Sequence, residues 1–231
     1  MKKWMGLGMS ALLLIAALTG CGTTQQETAS NEISASQTDS HYPVTVESYN
    51  YAGDVVTTTY EKAPERVIAV YQGSIETMLA LGLEEHVVAS YGLDNAVKEE
   101  WEDGLSKMNY HEDVFAPSKE DVMMLEPDMI FSWGSLFGEK KLGDVDQWIS
   151  RGTNTYINTN TRAGGYDRTL EHEYTDILNI GKIFDVQDKA EALVKEIKAI
   201  IDKTQESTAD MTEKPSVMIL DEATANIDTE T

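Results

Sequence analysis

The chain has 231 residues, with 40 acidic against 18 basic side chains and a formal net charge of −22. So large a negative excess argues against nucleic acid or an anionic bilayer surface as the partner. A single cysteine excludes a disulfide framework, so the folded part must stand on its own apolar core, and the length suits one domain of ordinary size.

In chain order, the basic start Met1-Lys2-Lys3 is followed by an apolar stretch from Leu7 to Leu18 and then by Leu18-Thr19-Gly20-Cys21, the order of a signal peptide. The stretch falls short of the about 20 residues that a spanning helix needs. Leu-Thr-Gly-Cys resembles the lipobox of bacterial lipoproteins, which implies cleavage before Cys21 and lipid on its thiol and freed amine. Two or more acyl chains make such an anchor stable. Residues 1–21 are therefore expected to be a lipoprotein signal peptide and Cys21 the lipidation site. Residues 22–43, rich in Thr, Gln, Ser and Glu, are expected to be a disordered tether.

From there strands and helices alternate. Arg66 to Val70 is short, apolar and β-branched, the pattern of a buried parallel strand, and Ser74 to Leu81 has helical spacing with a stop at Gly82. Val87 to Ser90 reads as a second strand, Ser118 to Leu125 as a capped helix, and Asp128 to Ser132 as a strand after Pro127. Val145 to Ser150 reads as helix, Asn154 to Asn158 as strand, and Leu170 to Ile183 as helix. Asp188 to Lys203 carries Ala192, Leu193, Ile197, Ile200 and Ile201 on one stripe, as one long amphipathic helix does. The fold class is α/β, with a parallel sheet flanked by helices. Ligands gather where the strands of such a sheet end at their carboxyl side, so the loops to watch begin at Tyr71, Tyr91, Trp133 and Asn158.

Ala63-Pro64-Glu65-Arg66-Val67-Ile68-Ala69-Val70, then Ser74-Ile75-Glu76-Thr77-Met78-Leu79-Ala80-Leu81-Gly82, then Leu125-Glu126-Pro127-Asp128-Met129-Ile130, in that order after a lipobox, resemble the class III, helical-backbone solute-binding proteins of ABC importers for ferric siderophores, haem and cobalamin. The resemblance covers about residues 43 to 203. It implies a Rossmann-like N-terminal lobe over residues 44–184, an interlobe helix over 185–208 and a second lobe missing from this chain. It also implies a ligand cleft lined by Tyr71, Gln72, Gly73, Ser74, Tyr91, Trp133, Gly134, Ser135, Asn158, Asn160 and Arg162. Aromatic rings there would offer flat apolar contact to a chelate, and Arg162 would pair with its charge; the bland reading is packing aromatics and a solvated arginine. Glu120 falls where the family carries a glutamate that docks on the permease, although a first-turn carboxylate also meets the helix dipole without any partner.

The implied function is capture of a ferric siderophore or related iron complex and delivery to an ABC permease, by a monomer lipid-anchored on the outer face of the membrane. No catalysis and no cofactor are implied, iron entering only inside its chelate. Glu171-His172-Glu173 is not read as a metal site, because adjacent helical positions point in different directions and nothing completes a shell.

Residues 209–231 change character. Leu220-Asp221-Glu222-Ala223-Thr224-Ala225-Asn226-Ile227-Asp228 resembles the Walker B and D-loop of ABC ATPases, which would give Asp221, Glu222 and Asp228 an ATPase-like role. No Gly-x-x-x-x-Gly-Lys-[Ser/Thr] cradle occurs in the chain, so the motif is expected to be inactive and the tail to be truncated or chimeric. The alternatives from other classes are a nucleotide hydrolase fragment and a surface lipoprotein without a transport role.

Overall fold

A computed structural model describes residues 41–210, which lie in one compact unit. Cys21 and the ATPase-like residues Asp221, Glu222 and Asp228 lie outside the described residues. The strands are β1 (Val44–Tyr49), β2 (Val55–Tyr60), β3 (Val67–Val70), β4 (Val87–Tyr91), β5 (Tyr110–His111), β6 (Met129–Ser132) and β7 (Asn154–Ile157). Between and after them run α1 (Gln72–Ala80), α2 (Glu102–Lys107), α3 (Lys119–Met124), α4 (Val145–Ile149), α5 (Leu170–Ile183) and α6 (Gln187–Thr208).

The main sheet is parallel with order β5-β4-β3-β6-β7. Every residue of β3 is fully buried, as a central parallel strand covered on both faces must be. Its side chains alternate between two cores. Val67 and Ala69 join Ile75, Met78, Phe131 and Ile180 on one face, and Ile68 and Val70 join Val122, Ile130, Leu136 and Trp148 on the other. Each fully buried Val, Ile, Leu, Met or Phe side chain among them contributes about 1.5–3 kcal/mol.

The phrases that carry the family resemblance have a local mechanical basis. The Asp128 carboxylate accepts the backbone N–H groups of Glu65 (2.8 Å) and Arg66 (2.9 Å). In return the Arg66 guanidinium donates to the carbonyls of Glu126 and Leu125. Asp128 N donates to Arg66 O, and Asn154 N to Asp128 O, so one aspartate sets the entry register of β3, β6 and β7. The helix before it is capped as expected: Ser118 accepts from Asp121 N and donates to the Asp121 carboxylate.

Three differences from the sequence reading have clear causes. The helix expected from Ser74 begins two residues earlier at Gln72, because Tyr71 turns the chain at φ 72° and ψ 160° and its carbonyl accepts Ile75 N. The segment expected as the loop Tyr71-Gln72-Gly73-Ser74 is thus mostly the first turn of α1. The antiparallel hairpin β1-β2, in the register Val44↔Tyr60, was not anticipated; it packs its Val44 and Val46 face on the core and ties to β7 through Ser48 Oγ, which accepts Ile157 N at 2.9 Å. The structure also engages residues assigned to the tether, since Tyr42 donates to Ile183 O (2.7 Å) and His41 Nε2 lies 2.7 Å from Lys182 O.

The long helix is present, 22 residues from Gln187 to Thr208, within the 185–208 expected and extending past the stripe read from Asp188 to Lys203. Its first half buries Ala190 and Val194, with Leu193 and Ile197 partly covered. Close approach of α5 and α6 depends on Gly181, where a Cβ would lie 2.4 Å from Ala190 Cβ. Further along, Ile200 is 59% exposed.

Candidate ligand cleft

The carboxyl ends of β3, β6 and β7 deliver Tyr71, Trp133 and Asn158 to one place. A cleft of about 710 Å³ opens there, bordered by Gln72, Gly73, Trp133, Ser135, Asn158 and Asn160 of the residues singled out from the sequence. The opposite border comes from residues the sequence reading did not single out, Thr161, Arg168, Thr169, Leu170 and Glu173. They belong to the turn after β7 and the start of α5, whose position depends on contacts far apart in sequence.

Two of the bordering side chains brace the loops around the cleft. Gln72 accepts the backbone N–H groups of Asp94 and Asn95 and donates to Glu76, so its amide braces the loop after β4. Asn160 donates to Thr169 O and Glu173 and accepts Thr169 N, with His172 Nδ1 2.9 Å from its Oδ1. Both border the cleft while holding its walls in place.

The remaining five residues singled out do not border this cleft and are placed behind it. Tyr71 is 2% exposed, its ring set between Phe115 (5.4 Å) and Trp133 (4.9 Å) while its hydroxyl accepts from Lys141 Nζ. Tyr91 is buried and stacks on His111, and burial raises its hydroxyl pKa. Ser74 is fully buried and donates to Asn158 Oδ1 at 2.8 Å. Gly134 donates its N–H to Thr161 Oγ1, and a Cβ there would meet Thr161 O at 2.9 Å. Arg162, expected to face a ligand charge, lies over the rings of Tyr166 (3.6 Å) and Tyr49 (4.8 Å). The arginine that borders the cleft is Arg168.

Beneath the β7 turn sits a buried carboxylate, Asp176, that no local motif marks. Asp176 accepts from Tyr156 Oη (2.9 Å), Thr159 N (2.8 Å) and Thr159 Oγ1 (2.6 Å). Burial pushes its pKa up to about 6, against the pull of those same donors. It fixes the turn Thr159–Thr161 that follows Asn158. Its partners lie 17 and 20 residues away in sequence, so no short motif marks them.

Glu120 is exposed in the first turn of α3. Glu173 and His172 are both turned to Asn160. Among the described residues no group of three or more His, Cys, Asp or Glu is gathered to hold a metal ion.

The sequence matches the family described as periplasmic binding protein over residues 67–225, a match that runs through Asp221 and Glu222. An uncharacterized ABC transporter substrate-binding lipoprotein of Bacillus subtilis (strain 168), YvrC, is 27% identical over 221 residues, 95% of this chain and 64% of that protein. A crystal structure of a periplasmic binding protein from Veillonella parvula superposes with a TM-score of 0.68 at 34% identity, over 75% of this chain and 55% of the other. An ABC-type Fe3+-hydroxamate transport protein from Saccharomonospora viridis has the same fold, with a TM-score of 0.58 at 23% identity, over 73% of this chain and 58% of the other. The chain thus spans between about half and two thirds of the length of these relatives.

Proposed function

This chain belongs to the periplasmic binding protein family, and from that premise we propose that it is the extracytoplasmic solute-binding component of an ABC importer. In this reading it is lipid-anchored at Cys21 and captures a ferric siderophore or related iron complex for delivery to a permease. The observation that carries the reading is the cleft at the carboxyl ends of the parallel strands, where Trp133 and Leu170 offer apolar surface beside Asn158, Ser135 and Arg168. That is the mixture an organic chelate with an apolar body and charged oxygens requires. The walls are fixed before any ligand arrives, by Ser74 on Asn158 and by Asp176 on Thr159, which lowers the ordering cost of binding. The protein supplies surface and hydrogen bonds, and the iron stays within its chelator.

The naming of the Bacillus subtilis relative as an ABC transporter substrate-binding lipoprotein supports the lipoprotein and transporter parts of the reading. A permease partner gives the exposed Glu120 a role in docking. The charge reversal Glu120→Arg is then expected to reduce uptake of the iron complex in cells while leaving its binding to the purified protein unchanged.

The experiment is a tryptophan-fluorescence titration of the purified chain with a panel of hydroxamate, catecholate and carboxylate ferric siderophores, haem and cobalamin. A saturable response to one class, lost in Trp133→Ala, is the expected result. No response to any chelate would sink the proposal, and saturable Mg-ATP binding with hydrolysis would replace it with the nucleotide reading.

A further inference from the structure

The first turn of α1 ends in the cleft without a cap. Tyr71 provides no side-chain acceptor to the N–H groups of Gln72, Gly73 and Ser74, and the first bond of the helix is Ile75 N to Tyr71 O. A nine-residue helix that begins in this way presents several free donors and the positive end of its dipole.

Two side-chain donors converge on the same spot. A methyl group at Gly73 would lie 3.7 Å from Trp133 Nε1 and 3.8 Å from Asn158 Nδ2. Asn158 is only 5% exposed, and its Oδ1 is held by Ser74. That bond fixes the amide so that its NH2 end is the one turned to Gly73, and among the described residues this NH2 has no acceptor. The Trp133 indole N–H likewise has none. A buried amide, an indole and an uncapped helix terminus, all donors and all without acceptors, surround a space that exists because residue 73 lacks a side chain.

We propose that this cradle is an anion subsite, in which an oxygen of a carboxylate or phosphate group on the ligand accepts from Trp133, Asn158 and the α1 backbone at Gly73. Every group converging on the spot donates and none accepts, so a neutral group that also carries a proton to donate would find nothing to receive it. Arg168, on the border of the same cleft, adds positive charge, and Glu173 on that border is engaged by Asn160. The inference rests on the reading of this cleft as the ligand site and names the chemical group that one part of it takes.

The test is a titration of the isotope-labelled full chain, held in a neutral detergent, followed by the indole N–H signal of Trp133 and the amide signal of Gly73. The probes are sodium citrate, inorganic phosphate and, as the uncharged control, trimethyl citrate. Citrate or phosphate is expected to move both signals saturably, and trimethyl citrate to leave them in place. Preference for citrate marks a carboxylate subsite and preference for phosphate a phosphate-ester one. Gly73→Ala fills the cradle at ordinary contact distance and keeps a helical residue, so the chain folds while binding weakens about tenfold or more, the loss of at least one charge-assisted hydrogen bond. Trp133→Phe keeps the ring, removes one donor and is expected to weaken binding several-fold.

Equal binding by Gly73→Ala and the parent chain, an equal response to trimethyl citrate, or no saturable shift with either anion would overturn the proposal. Anion binding lost in Gly73→Ala, together with a failed siderophore panel, leaves the subsite standing and removes the iron-complex reading. Siderophore binding unchanged in Gly73→Ala does the reverse.

Discussion

The two ends of the central strands use the same chemistry to opposite purposes. At the amino end, the Asp128 carboxylate takes two backbone N–H groups and Arg66 takes two carbonyls, so donors and acceptors are matched within the protein. At the carboxyl end, the α1 terminus, Trp133 Nε1 and Asn158 Nδ2 point together with no acceptor among them. A matched set holds strands in register. An unmatched set of one sign leaves its hydrogen-bonding capacity open to whatever supplies an acceptor.

The contrast can be broken first at the amino end, where the largest effect is expected. Asp128→Ala leaves the N–H groups of Glu65 and Arg66 without acceptors and is expected to cost about 3 kcal/mol, read as a lower midpoint in urea unfolding. A loss no larger than that of an ordinary surface substitution would show that the junction does not set the register.

Asp176→Asn, behind the cleft, comes next. All three bonds at this carboxylate are received, so an amide places a donor against a donor, and a loss of about 2 kcal/mol is expected near neutral pH. The pH dependence sharpens the point. Burial raises the folded pKa to about 6, whereas an unfolded aspartate ionises near about 3.9. Between those values the folded chain holds a proton that the unfolded chain has released, so this group's contribution to stability falls as pH rises through the window and is level above about 6. The stability difference between parent and variant should therefore shrink as pH is raised from about 4 to about 6. A difference that stays constant would mean that Asp176 is ionised throughout.

A smaller effect belongs to Ser118→Ala, which removes the α3 cap and is expected to cost about 1 kcal/mol, read in the same unfolding assay. The smallest belongs to Gly73→Ala, which should raise stability by about 0.5–1 kcal/mol, the advantage of alanine inside a helix. A variant that is more stable than its parent while binding the anion more weakly would mark Gly73 as a residue kept for its empty space. A variant that unfolds more easily would mean that Gly73 is needed for packing.

The legible parts were those written locally. The β-branched run Val67 to Val70, the spacing of Leu170 to Ile183 and the Ser118 cap each depend on neighbours within a turn or two, and the structure has each within a residue or two of the expected place. The strand ends therefore pointed to the end of the sheet where Gly73, Trp133 and Asn158 border a cleft. The β1-β2 hairpin was missed because it acquires its inner face only by packing against the core and β7. The start of α1 was misplaced by two residues because Tyr71 adopts a backbone conformation that nothing in its own side chain favours.

Arg162 and Arg168 show how packing separates two like residues. Both lie in one loop and both are cations, and only packing decided between them, setting Arg162 over two tyrosine rings and leaving Arg168 at the cleft. The sequence by itself determined the α/β class and the order of the central elements, because periodicity and capping are properties of a short stretch of chain. Which donors are satisfied and which remain free was decided by tertiary structure alone, because a hydrogen bond between Ser74 and Asn158, or between Thr159 and Asp176, exists only once the strands have brought those residues together.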